Sequence, residues 1–267
     1  MKPALIVAFL WLLFAGPHIG LATSRVRGFL VERLGVWGFA YLFSAVAAVT
    51  FSLLVHYYAG ARFDGVAGLD LARFPAFRYV AIGAIVLAFV LMIGSLWRLP
   101  ASALSGVDPR ALVPRGLERI TRHPFFVGAG LLGLSHALLA AHLVGTVMFA
   151  GVAFLSFAGA MHQDRKLRAL RGEGYDEYLA QTSFLPFVAI ASGRQQLAWR
   201  EMPWVGLAAG LVTAFVLRSV HSSILATGGL WVITVVLGGA ASATIQALAR
   251  RRRPATVLQT AAESARR

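Results

Sequence analysis

His18 and His136 each sit inside a stretch that is otherwise almost wholly apolar. An ionisable side chain at membrane depth is costly and persists where it pairs, lines a cavity or binds something. A neutral imidazole is a frequent ligand for metals and for haem iron. The chemistry open to this pair is therefore ligation of a cofactor held between helices, and the alternative for each is a histidine simply hydrogen-bonded across a bundle. The chain contains no cysteine, which removes disulfides, thiolate ligands and thioether-linked haem, so any metal or haem chemistry must draw on histidine, carboxylate or methionine.

The remaining polar residues gather between apolar runs. Arg122 and His123 precede Pro124 at the start of one run, and Asp164 and Arg165 open the longest polar segment, His162 to Met202. Within it, Asp164 to Glu177 reads as a helix broken by Gly172 and Gly174, with Tyr175 and Tyr178 three apart on one face. Thr182 to Phe187 is apolar but too short to span, which suggests an element packed under the bundle. His56, followed by Tyr57 and Tyr58, reads as part of an interfacial aromatic belt. His142, His162 and His221 fall at turns or helix ends, where polar side chains are ordinary, and Arg218 reads as an anchor snorkelling to the interface.

Composition fixes what must position these groups. Of 267 residues, 58% are apolar and 13% charged, with mean hydropathy +0.71. Apolar runs fall at Leu5 to Ala22, Val36 to Ala59, Tyr79 to Trp97, Pro124 to Leu139, His142 to Met161, Trp204 to Val220 and Ile224 to Leu248. Each is near the ~20 residues a helix needs to cross a bilayer. The alternation of a β-barrel is absent, so the expected architecture is an all-α polytopic bundle of about seven spans. Residues 1–195 read as a membrane core, 196–253 as two further spans and 254–267 as a disordered basic tail. Met1 to Ser24 reads as a retained first helix rather than a cleaved signal peptide, because apolar character resumes past Pro17 and no clean cleavage site follows.

All but Lys2, Arg62, Arg73, Arg78 and Arg218 of the 25 basic residues fall on one side of this arrangement, which predicts an external N-terminus and a cytoplasmic C-terminus. The formal charge of +14 mostly flanks spans, so anionic lipid head groups account for it and nucleic acid is excluded as a partner. Counted from Arg25 and Arg122, His18 and His136 lie about 10 and 21 Å deep, an offset that helix tilt and side-chain reach must close if both are to hold one ion.

The segments Pro17-His18-Ile19-Gly20, Glu32-Arg33-Leu34-Gly35, Arg119 to Pro124, Leu134-Ser135-His136, Asp164-Arg165-Lys166 and Thr182 to Ile190 resemble, in order, the NnrU family of bacterial membrane proteins, which includes the cis-zeta-carotene isomerases of plants and cyanobacteria. The resemblance runs from Met1 to about Val220. It implies haem b between transmembrane helices with His18 and His136 as iron ligands, and a role in isomerising a lipophilic polyene or in nitrite and nitric oxide metabolism. It also implies a cytoplasmic cluster of Arg122, His123, Asp164 and Arg165 that steadies haem propionates or ties helix ends together, and a location in the bacterial inner membrane. Plant members carry a cysteine three positions before the second ligand, where this chain has Gly133.

A second resemblance attaches to Arg122-His123-Pro124, the following hairpin, and Glu173-Gly174-Tyr175 with Tyr178. These are similar to membrane methyltransferases of the isoprenylcysteine type, which implies S-adenosylmethionine as cofactor. Phe125 and Phe126 stand where those enzymes tend to have tyrosine, and His162-Gln163-Asp164 replaces their acidic pair. A non-enzymatic membrane scaffold is the third reading; a transporter usually shows midplane charges or repeats, and this chain has few of the first and none of the second.

Overall fold

The computed structural model describes residues 1–96 and 113–251. The segment from Arg98 to Arg110 and the tail from Pro254 to Arg267 lie outside the described residues. The described chain is helical: α1 (Lys2–Gly20), α2 (Ser24–Ala61), α3 (Pro75–Leu96), α4 (Leu117–Ile120), α5 (Pro124–Leu139), α6 (Leu143–Arg171), α7 (Glu173–Gln181), α8 (Val188–Ala191), α9 (Trp204–Ser219) and α10 (Leu230–Arg251).

Each of the seven apolar runs contains a helix, the last only from Leu230 onward. By length and apolarity α1, α2, α3 and α6 can cross a membrane, whereas α5, α9 and the described apolar part of α10 are apolar but shorter. At 16 residues, α5 and α9 each reach only about 24 Å. Among the described residues, four helices are thus long and apolar enough to cross a membrane. Many of the large apolar side chains point outward, Leu12, Phe154, Phe215 and Val235 among them, as a lipid-facing surface requires.

Helix boundaries follow local chemistry. Pro3 occupies the first turn of α1, where its missing N–H costs nothing. Pro17 is tolerated near the end of the same helix. Inside α2, Gly35 adopts φ 69°, a conformation that needs glycine, and kinks the helix where its charged first part meets the apolar run from Val36.

Two packed cores hold the bundle. In the first, Val7, Trp11 and Phe14 of α1 meet Leu54, Val55 and Tyr58 of α2 and Val144 and Met148 of α6. Trp11 Nε1 donates to the Met148 carbonyl at 3.0 Å, so its one polar atom is satisfied in the apolar interior. In the second, Leu91 of α3, Leu117 of α4 and Val127 of α5 meet Met202 and Leu207. Between α5 and α6 the backbones close to contact at Gly133, where an added Cβ would lie 2.6 Å from the Ala153 nitrogen. Gly210 of α9 seats against Phe89 and Val90 of α3 in the same way.

The two ends of the bundle differ. At one, the linker after α2 straps the α5–α6 turn through Gly68 N to Ala141 O (2.9 Å), Asp70 N to Ala140 O (3.0 Å) and Leu143 N to Val66 O (2.9 Å). At the other, basic end, the strand-like segment around Ile120 to Arg122 pairs with Ser183 to Phe187 through Arg122 N to Ser183 O and Phe187 N to Ile120 O, both 2.9 Å. The apolar stretch expected to pack under the bundle does so.

Candidate functional site

Helix α3 packs against both α5 and α9, and the trough between those two helices holds a cavity of about 530 Å³. Leu87, Val90 and Leu91 form its floor, Val127, Leu131 and Leu134 of α5 one wall, and Trp204 and Leu207 of α9 the other. Phe184 to Phe187, with Trp199 and Met202, close it at the basic end. Every lining side chain is apolar, so the cavity offers nothing to orient a polar ligand and a large area to bury a hydrocarbon.

His136 lies on α5 two residues beyond Leu134. Its Nδ1 donates to the Leu132 carbonyl at 2.9 Å; a carbonyl can only accept, so the neutral ring keeps its free lone pair on Nε2. One ring neighbour is Phe149 of α6, at 4.7 Å between centres and 30° between planes. Another is His221, from the turn after α9, at 6.2 Å and 19°. Sequence reasoning placed His221 among ordinary turn residues and missed this approach.

His18 has a different setting. Its ring lies between Phe14 (5.2 Å) and Phe43 (5.0 Å), and its Nδ1 is buried without a hydrogen-bond partner. The Trp11–Met148 bond sets Trp11 level with Met148, and the Phe149 stack sets His136 at that same height. His18 is seven residues further along α1, about 10 Å toward the basic end. His18 and His136 thus sit on α1 and α5, which both pack on α6, and the histidine found beside His136 is His221.

The basic end carries the polar cluster. His123 Nε2 and Tyr175 OH both reach Asp164 Oδ1, at 2.6 and 2.7 Å, while Arg122 bonds Asp164 Oδ2 through Nε at 3.0 Å and Nη2 at 2.9 Å. Donors from three residues, two in the α4–α5 connection and one on α7, thus converge on one carboxylate of α6. The expected grouping of Arg122, His123 and Asp164 is present; Arg165 is exposed and takes no part in it. Tyr175 joins instead, stacked on Tyr178 at 5.6 Å, and burial together with Asp164 pushes its hydroxyl well above the ordinary tyrosine range. With Arg122 and His123 both committed to Asp164, this constellation serves as a tie between helix ends.

A second tie escaped sequence reasoning. Arg119 grips Glu201 in bidentate fashion (2.8 and 2.9 Å) and also donates to Gln195 at 2.8 Å, while Gly116 N donates to Glu201 at 3.1 Å. These donors hold the Glu201 carboxyl down at about 2, Arg119 contributing most. Glu118, one residue away from Arg119, is instead pushed up to about 7 by burial. The available signal was scarcity, since the chain has only 11 acidic residues and an isolated acid just ahead of an apolar run needs a partner.

Comparison with known proteins bears on this architecture. Two curated relatives are similar to the chain: the chloroplastic 15-cis-zeta-carotene isomerase of Arabidopsis thaliana, 29% identical over 80% of this chain, and that of Zea mays, 26% identical over 72%. The chain spans 59% and 52% of those relatives' own length. Both are chloroplastic, which gives no support to the expected bacterial inner membrane. No solved structure matches. The family model described as NnrU protein matches residues 5–238, a range that takes in the cavity, both polar ties and the whole of α9, and the chain accordingly belongs to the NnrU family.

Proposed function

We propose that the protein is a membrane enzyme that isomerises a double bond of a lipophilic polyene, taken up sideways from the bilayer into the trough between α3, α5 and α9. The observation that carries this reading is the cavity of about 530 Å³ with a wholly apolar lining. Its size suits a length of hydrocarbon far better than nitric oxide or nitrite, and the relatives' printed names identify a carotenoid as their substrate.

The chain's own residues do the binding, orienting and drying. Burying polyene against Leu87, Val90, Leu131 and Leu134 releases free energy at about 25 cal/mol per Å², and part of that energy can be spent on holding a twisted bond. Phe184 to Phe187 stop the chain end at the basic side, and Phe187 does so from a left-handed backbone conformation (φ 65°) that the hydrogen bond its N–H donates to Ile120 O helps to hold. In orientation, the basic end faces the cytoplasm, where the paired loops meet anionic head groups.

Haem b, which the family resemblance implies, is tested by the same geometry. His18, whose buried Nδ1 has no hydrogen-bond partner, and His136, whose Nε2 is free, are the residues that would hold such a group, and no step is routed through it. The reading as an isomerase is tested by reconstituting the purified protein in liposomes with 15-cis-zeta-carotene and following isomer composition by chromatography in the dark. Loss of the 15-cis form with the wild type, slowed at least about tenfold by Leu131→Trp in the cavity wall, is the expected result. No conversion above protein-free liposomes by folded wild type sinks the proposal.

A further inference from the structure

Building on the assignment of the trough to a polyene, we propose that it is a half-length measure. It encloses one arm of a carotenoid up to the middle of the molecule and leaves the other arm in the bilayer, so that the bond held at its rim is the central one. An apolar cavity of about 150 Å³ takes the roughly six carbons of benzene, so one of about 530 Å³ takes on the order of twenty, half of a carotenoid's roughly forty. Ligand pockets ordinarily bury most of what they bind. Here one arm has no place inside.

Burial separates a closed end of the trough from an open one. Leu91, Leu117, Val127 and Met202 are buried and pack together, backed by Ile120 and Phe184. A chain end that reaches this cluster goes no further. Leu87 and Leu134 line the same faces of α3 and α5 about 6 and 10 Å farther from the basic end, and they are 47% and 45% exposed. They form the rim toward the middle of the bilayer. Trp199 and Trp204, also exposed, form its other side, stacked at 5.9 Å with their planes 6° apart. Trp204 Nε1 donates to the Trp199 carbonyl at 3.1 Å, so the pair offers a flat apolar surface to the outgoing arm.

The motion that isomerisation demands favours this division. Rotating a double bond swings everything on one side of it through a wide arc. A close-packed protein interior does not re-form around a ligand of new shape, whereas fluid lipid yields. With the bond at the rim, the enclosed arm stays still and the outer arm sweeps through the bilayer. A bond within the enclosed arm would instead drive hydrocarbon into Leu91, Leu117 and Met202. The locant 15 in the relatives' names marks a carotenoid's midpoint, so a half-length trough holds that bond at its rim whichever end enters first.

The test uses the full-length protein. In detergent, bound 15-cis-zeta-carotene is displaced by acyclic isoprenoid hydrocarbons of two lengths, and retained pigment is read by absorbance after a sizing column. A chain of about twenty carbons should displace it at a concentration within about threefold of that needed by added carotenoid, and one of about ten carbons, which leaves part of the lining without contacts, should need at least about tenfold more. In liposomes, conversion of 15-cis- and 9-cis-zeta-carotene is compared, with size-exclusion profile and unfolding midpoint reporting the fold. Wild type should favour the 15-cis isomer at least about tenfold, and both Val127→Phe, which fills the closed end, and Met202→Ala, which deepens it, should lower that preference at least about threefold. If Val127→Phe does not fold, Met202→Ala carries the comparison. A twenty-carbon chain at least about tenfold poorer than the carotenoid in displacement, or an unchanged preference in the folded variants, overturns the half-length measure and leaves the isomerase assignment standing. Folded wild type that retains no pigment and converts neither isomer overturns both.

Discussion

Asp164 shows how one residue can organise one end of a membrane protein. In a chain with so few acids, a carboxylate placed beyond an apolar run finds Arg122, His123 and Tyr175. Removing its charge weakens the acceptor for all three partners. Asp164→Asn is expected to cost about 2–3 kcal/mol and Tyr175→Phe about 1 kcal/mol, both read as a lowered unfolding midpoint in detergent. Glu201 behaves differently because it is about a third exposed. Its carboxyl falls from the ordinary 4.5 to about 2 in the folded protein. The unfolded chain therefore binds the extra proton between those values, and the tie's contribution is full above 4.5 and lost as pH falls through about 2. The stability gap between wild type and Glu201→Gln should shrink steadily over that window in thermal unfolding measured against pH. At this scale the sequence was half legible. Arg122, His123 and Asp164 stood out as rare polar groups at the ends of apolar runs, but His221 lies 85 positions from His136 in a turn, where nothing local marks it as different from any other turn histidine.

Helices carry their own constraints. All seven apolar runs were legible from hydropathy, because apolar side chains that face lipid and those that face neighbouring helices read alike. The length of α5 was legible too: it runs from Pro124 to Leu139, the bounds of the apolar run, since the loop at Ile120 to His123 pairs with Ser183 to Phe187 and the strap at Gly68 to Asp70 fixes the other end. The kink at Gly35 was not read from sequence; it falls where the charged part of α2 gives way to the apolar run. Gly133 supplies a sharper case. It lies against the backbone of Phe149 and Ala153, leaving no room for a side chain. Gly133→Cys should therefore force α5 and α6 apart and cost about 1–3 kcal/mol, measured as a lower unfolding temperature, and the introduced thiol should react slowly with a maleimide in the folded protein.

For the molecule as a whole, the trough is a consequence of packing that no single segment announces. Leu131 and Leu134 are ordinary leucines in sequence; they become a wall because α5 and α9 both lie on α3 and the loop at Phe184 to Phe187 folds beneath them. The two segments read from sequence as appended spans also join the core, α9 on α3 and α10 on α2. Composition could say that the partner is lipophilic but not where it sits. Retention of the polyene by the purified protein tests that placement most directly. Wild type, Leu131→Trp in the cavity wall and Leu12→Trp on the outer face of α1 would be loaded with 15-cis-zeta-carotene, passed over a sizing column, and their bound pigment measured by absorbance. Pigment that stays with wild type and Leu12→Trp but is largely lost from folded Leu131→Trp is the predicted result. Equal pigment in all three proteins, or none in any, would contradict a polyene site between α3, α5 and α9.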